Sequence, residues 1–153
     1  MKAPASLEII IKSTPMETYI TRRERFSAAH RLFRADWDDE KNMEVFGPCS
    51  NPNWHGHNYE LFVTVKGPID PETGFVINIK KLSRVIRQYI IDKIDHKNMN
   101  TEVDFMQGRL ASTENLAVAI WEVLEQPVTD LGIQLHRIKI TETENNYVEY
   151  YGK

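Results

Sequence analysis

His55-Gly56-His57 is the first place in this chain where residue types and spacing suggest chemistry. In extended backbone, residues two apart point to the same face, about 7 Å apart along the chain, so two imidazoles placed this way can converge on one ion. His30 supplies a third ligand if its segment pairs with that of His55 and His57. Three histidines with the fourth position open form a catalytic zinc arrangement, whereas a structural site is normally closed by four protein ligands. Cys49, the only cysteine, lies in Gly47-Pro48-Cys49-Ser50-Asn51-Pro52-Asn53. It has two readings: a fourth ligand closing a Cys-His₃ site, or a free thiol that nearby positive charge makes reactive. His-x-His is also a short pattern that ordinary surface histidines produce by chance.

Two carboxylates extend the set. Asp95-His96 places an acid beside an imidazole at the end of a helical pattern, as a helix cap or as an acid–base pair. Glu142 continues an apolar strand face formed by Ile138 and Ile140. It is either solvated beyond the core or pocketed, and a pocketed carboxylate suits the paired N–H donors of a pterin or guanine edge.

The elements that must position these residues follow from hydrophobic periodicity. Tyr19 to His30 reads as a strand, with Tyr19, Thr21, Arg23 and Arg25 on one face and Ile20, Arg22, Glu24 and Phe26 on the other. Arg34 to Pro52, polar and acidic, reads as a long loop. His57 to Lys66 is a clearer strand, with Tyr59, Leu61, Val63 and Val65 sharing a face. Turn residues at 67–74 and a short extended piece, Phe75–Ile79, lead into a helix. Its apolar stripe is Leu82, Val85, Ile86, Tyr89, Ile90 and Ile94. A second helix starts at Ser112-Thr113-Glu114, carries Leu116, Ala117, Ile120 and Leu124 inward, and ends at Pro127. Two strands close the chain, one with His136, Ile138, Ile140 and Glu142 on a single face, the other alternating from Tyr147 to Tyr151. Asn145-Asn146 makes the turn between them. The order ββααββ predicts an α+β fold: a four-stranded antiparallel sheet with two helices on one face, its edges needing cover from another subunit.

Composition narrows the classes. The 153 residues suit one domain. A net charge of −3 speaks against a nucleic-acid partner, and 41% hydrophobic residues against disorder. A single cysteine suits the reducing cytosol, and the longest apolar run near the N-terminus, Ile9-Ile10-Ile11, is far too short for a membrane span. Residues 1–18 resemble neither a secretory signal nor a transit peptide, so a cytoplasmic protein is expected. They read as an N-terminal arm whose Leu7–Ile11 patch packs on the body or on a neighbour, with residues 19–153 as the single domain.

With these pieces assembled, the chain resembles the 6-pyruvoyl-tetrahydropterin synthase family. The matching stretches are Phe26-Ser27-Ala28-Ala29-His30-Arg31-Leu32 and Cys49-Ser50-Asn51-Pro52-Asn53-Trp54-His55-Gly56-His57-Asn58-Tyr59. Asp95-His96-Lys97-Asn98, Ser112-Thr113-Glu114-Asn115 and Thr141-Glu142-Thr143-Glu144-Asn145-Asn146 follow in the family's order. The resemblance implies that His30, His55 and His57 bind one Zn²⁺ and that Cys49 is the catalytic proton acceptor. It implies a relay of Asp95 and His96 with Cys49, Glu142 as the pterin anchor, and Ser112, Thr113 and Glu114 near the pterin pocket. The implied fold is the tunnelling fold, whose trimeric barrels stack into hexamers with active sites between subunits. The implied substrate is 7,8-dihydroneopterin triphosphate, a small pterin triphosphate, converted to 6-pyruvoyl-tetrahydropterin without an external redox cofactor.

A related branch, the 6-carboxytetrahydropterin synthase of queuosine biosynthesis, uses the same substrate and releases acetaldehyde. Its cysteine typically precedes His-Gly-His by three residues. Here Ser50 to Trp54 intervene, the spacing of the pyruvoyl branch. Trp54 departs from the small residue, such as glycine, common at this place in animal members. A non-catalytic pterin- or zinc-binding relative would lack the thiol, a zinc histidine or the anchoring carboxylate, and none is missing. No Gly-x-x-x-x-Gly-Lys phosphate loop is present, so basic groups for the triphosphate must be local or come from a neighbour.

Overall fold

Strands β1 (Glu17–His30) and β2 (His55–Pro68) form the spine of the fold in a computed structural model that describes residues 16–153. They pair antiparallel along their whole length, from Glu17 opposite Pro68 to His30 opposite His55. On β2 the expected inward face holds, with Tyr59, Leu61, Val63 and Val65 all buried. On β1 the inward face is Ile20, Arg22, Glu24, Phe26, Ala28 and His30. Glu24 breaks the apolar alternation yet is only 6% exposed. Its carboxylate accepts hydrogen bonds from Arg22, Ser83 and Arg87, so the buried charge is paired by groups from a helix far along the chain.

The sheet has five strands rather than the expected four, and it is mixed. β3 (Lys97–Asn98) runs parallel to β1 at Ala28 and Ala29, giving the order β3-β1-β2-β4-β5. Two residues are too few to show a strand period, and β3 exists because the chain leaving a helix is held against β1. His96 N–H donates to the Ser27 carbonyl and Met99 N–H to the Ala29 carbonyl. β4 (Gln134–Thr143) pairs antiparallel with β2, and β5 (Asn146–Tyr150) with β4. A register shift between Thr64 and Val65 leaves His136 without a partner on β2. This bulge puts Leu135 in the core and turns His136 to the opposite face, against Tyr19 and Tyr151, not onto the face of Ile138, Ile140 and Glu142.

The segment expected as a long loop contains a helix, α1 (Asp39–Phe46). Asp38 caps it by accepting from Lys41 N–H, and Asp39 and Glu40 occupy its first turn. The acids that read as loop composition are a helix-start signal, favoured there by the helix dipole. α2 (Ile79–Ile86) continues through a π turn (Arg87–Ile91) into the short α3 (Asp92–Ile94). Leu82, Ile86, Ile90 and Ile94 are all fully buried at four-residue steps. A regular helix would carry such a stripe off its face, and the under-wound π turn keeps it aligned while leaving Tyr89 exposed.

α4 (Thr113–Thr129) starts where expected, with Ser112 accepting from Asn115 N–H, but runs past Pro127. The ring lies in the last turn and removes only one backbone bond there; Gly132, at a φ of 80°, follows the helix end. α2 packs on β1, and α4 on β4 and β5. The core lies between these helices and one sheet face, the layer arrangement expected. The proposed contact of the Leu7–Ile11 patch lies outside the described residues.

Candidate active site

The last rung of the β1–β2 ladder places His30 opposite His55, and His57 follows two residues on along the same face. Ring centroids are 4.4 Å apart for His30 and His55, 5.1 Å for His30 and His57, and 5.0 Å for His55 and His57. One ligand atom from each lies within 4.8 Å of the others, a set able to hold a metal ion, and Cys49 is not part of it. The His30 ring is oriented from behind: Nδ1 donates to the Ala111 carbonyl at 2.7 Å, leaving the Nε2 lone pair toward the cluster. His30 Nε2 and both ring nitrogens of His55 are buried without a protein partner. Burial pushes all three imidazole pKa values down, toward the neutral form that ligates. Orphaned, desolvated, neutral nitrogens in one cluster are what a bound cation would satisfy, so the donor set fits the ion implied by the sequence.

Gly56 is required by the packing of the strand pair. A Cβ there would come within 2.9 Å of the Ala28 carbonyl oxygen, so glycine lets β1 and β2 approach at the rung beside the histidines. Trp54, just ahead of His55, has a φ of 65°, a left-handed conformation natural to glycine and costly for a bulky residue.

Beside the cluster opens a cleft of about 430 Å³ lined by Cys49, Glu142, Ser112, Thr113 and Glu114, with Leu32 and the β4–β5 turn completing it. Glu142 lies 3.8 Å from His30 Nε2 and 3.7 Å from His57 Nε2, and accepts a hydrogen bond from the Thr113 hydroxyl at 2.9 Å. Thr113 thus orients the carboxylate, whereas Ser112 caps α4. Cys49 rides on a 3₁₀ turn (Gly47–Ser50) tied back to the end of β1. Leu32 N–H donates to the Cys49 carbonyl and the Arg31 guanidinium to the Ser50 carbonyl. Asn42, buried in α1, anchors the excursion by bonding to both backbone groups of Arg34 and to the carbonyls of Trp37 and Asp38.

Asp95 and His96 are brought together, but not into that cleft. The Asp95 carboxylate accepts from Ser27 N–H at 2.9 Å and stands 3.0 Å from His96 Nδ1; the Ser27 bond, then the imidazole, hold its pKa down. His96 has a φ of 59° and its side chain is 82% exposed. It lines a separate depression with Ser27, His57 and Asn58. Tyr59 was legible only as a core residue, although strand alternation puts it on the face of His55 and His57. Its hydroxyl is buried without a partner, and burial pushes its pKa up, with the charges of Glu142 and Cys49 adding to the effect.

The model of the family described as 6-pyruvoyl tetrahydropterin synthase matches residues 19–153. The chain belongs to the 6-pyruvoyl tetrahydropterin synthase family. It is 44% identical over 137 residues to a Homo sapiens protein named 6-pyruvoyl tetrahydrobiopterin synthase, covering 90% of this chain and 93% of that one. The solved Caenorhabditis elegans 6-pyruvoyl tetrahydropterin synthase superposes with a TM-score of 0.83 at 34% identity, covering 90% of this chain and 97% of that one. Similarity to a Bacillus subtilis protein named 6-carboxy-5,6,7,8-tetrahydropterin synthase is lower, 26% over 144 residues, covering 91% and 88% of the two chains. The α+β fold expected from the family resemblance is thus shared with a solved family member.

Proposed function

We propose that this chain is a zinc-dependent 6-pyruvoyl-tetrahydropterin synthase, a lyase that converts 7,8-dihydroneopterin triphosphate to 6-pyruvoyl-tetrahydropterin with loss of triphosphate. The observation that carries the reading is the cleft in which Glu142 and Cys49 lie together beside three convergent imidazoles. Five residues between Cys49 and His55, and higher identity to proteins named for the pyruvoyl product than to the carboxy synthase, favour that branch.

Within the cleft, Glu142, steadied by Thr113, accepts paired hydrogen bonds from the N–H edge of the pterin and fixes its orientation. A Zn²⁺ held by His30, His55 and His57 would act as a Lewis acid toward the side-chain oxygens and make the neighbouring C–H more acidic. Cys49 takes that proton as thiolate, and departure of triphosphate and tautomerisation of the side chain carry its reducing equivalents into the ring. Asp95 holds the His96 imidazole by Nδ1 and leaves Nε2 outward, the arrangement of an oriented proton carrier. Because His96 is exposed and lines a separate depression, the relay to Cys49 is completed across a subunit boundary. A homohexamer built as a dimer of trimers supplies that boundary and covers the open edges of β1 and β5. We take residues 19–153 as the catalytic domain, residues 1–18 as an arm, and the cytoplasm as its place of action. Among the described residues, no helix is long and apolar enough to cross a membrane.

Mass-spectrometric identification of the product formed from dihydroneopterin triphosphate, with an acetaldehyde assay, tests the reading. Pyruvoyl-tetrahydropterin without acetaldehyde is expected. Carboxy product with acetaldehyde would reassign the chain to the queuosine branch, and tight pterin binding without turnover would make it a non-catalytic relative.

A further inference from the structure

Buried polar atoms without a partner are rare in folded proteins, and each calls for an explanation. Among the described residues the buried side-chain atoms in this state are His30 Nε2, both ring nitrogens of His55, Tyr59 Oη and Arg137 Nε. Arg137 lies on the other sheet face, where its remaining guanidinium nitrogens bond to Glu149 and Thr64. The others belong to the histidines of the cluster and to Tyr59, whose ring lies beside it. A metal ion takes one nitrogen from each histidine, and leaves the second His55 nitrogen and the phenol unexplained.

Tyr59 is 1% exposed, so solvent does not satisfy its hydroxyl. Phe26 stacks on its ring at 5.0 Å, while the His57 and His30 rings stand edge-on at 5.5 and 6.3 Å. Tyr59 shares the face of His55 and His57 on β2. A phenol is protonated at neutral pH and has one hydrogen to donate. An oxygen held at the adjacent cluster would supply the acceptor.

We propose that the Tyr59 hydroxyl donates a hydrogen bond to the oxygen that completes the tri-histidine centre, water at rest and the substrate's side-chain oxygen during turnover. The inference rests on the synthase reading for the substrate, but its resting-state half needs only a metal on the three histidines. The donor steadies negative charge that builds on that oxygen as the neighbouring proton leaves. Glu142 accepts from Thr113, and no hydrogen bond joins it to the phenol.

Tyr59→Phe removes the hydroxyl and keeps the ring, its stacking on Phe26 and the fold. Three measurements on the full chain decide. In metal-free protein, loss of an unpartnered hydroxyl should leave Tm unchanged or raise it, and a fall in Tm would show an internal partner and overturn the proposal. With Co²⁺ in place of zinc, the variant should bind one ion per chain but show shifted visible bands; an unchanged spectrum would overturn the resting-state contact. In turnover, kcat should fall about 100-fold, the size of loss typical for one donor to developing negative charge, with KM within about threefold. Wild-type kcat in the variant would remove the catalytic role. If wild-type protein binds the metal yet forms no product, the synthase reading fails while the Co²⁺ spectra still judge Tyr59.

Discussion

Cys49 and Glu142 share one cleft, and the proposed reaction gives them separable tasks that substitution can tell apart. Cys49 is not among the convergent ligand atoms, so Cys49→Ala should keep zinc content near wild type while abolishing turnover. A large drop in bound metal would make Cys49 a ligand and restore the closed Cys-His₃ reading. His57→Ala should lose the ion, and normal stoichiometry there would count against the triad. Glu142→Ala should chiefly weaken pterin binding, by about 1.5–3 kcal/mol for lost charge-assisted hydrogen bonds. Equilibrium titration with a pterin would show it, and unchanged affinity would remove the anchoring role. Residue types and order were enough to nominate all of these positions. They did not reveal Tyr59, because its environment is assembled by Phe26 across the ladder and by charges from other segments.

At the scale of elements, the site depends on two backbone devices. The first is the close approach of β1 and β2 at Gly56, where even a methyl group would press on the Ala28 carbonyl. Gly56→Ala should therefore lower metal affinity with little change in the remaining fold, measured by competition with a chelator. The second is the strap from Arg34 to Ser50, in which Asn42 bonds to three other residues of its own excursion. Asn42→Ala leaves several of those backbone groups unpaired and should cost about 1–3 kcal/mol in denaturant unfolding. It should also depress kcat, because the same strap carries Cys49; full stability and activity together would show that the strap is not needed. The strap reads as loop because its composition is polar and acidic. Its helix is set by one cap, Asp38, and one buried asparagine whose partners are visible only once the chain has turned back.

For the molecule as a whole, acid and chelation probe the same cluster. Burial holds the three imidazoles below the histidine pKa of about 6.5 expected in the unfolded chain. As pH falls below that value, the unfolded chain takes up protons that the folded cluster resists, so the cluster's contribution to stability declines until the depressed folded values are passed. Metal-free protein should thus lose Tm as pH falls below about 6.5, and a His55→Asn/His57→Asn variant should lose less. Equal slopes would mean that the histidines are not the source. Chelation at neutral pH should end activity while circular dichroism stays near native, since the core between helices and sheet does not depend on the ion. Unfolding on chelation would mark the metal as structural.

The sequence by itself determined which atoms are available for chemistry, the strand alternation that puts His55, His57 and Tyr59 on one side, and the two long amphipathic helices. These are local properties, carried by residue type and by periods of two and 3.6. Only the tertiary structure decided matters that depend on partners distant in the chain. Ala111 orients His30, helix residues neutralise Glu24, a bulge turns His136 away, and backbone bonds to β1 create the fifth strand. It also separated Asp95 and His96 from Cys49 within one chain, because the dyad is pinned to β1 at Ser27 while the thiol is held on the strap. A linear sequence specifies which groups exist; whether two of them meet depends on the register of strands and the path of the chain between them.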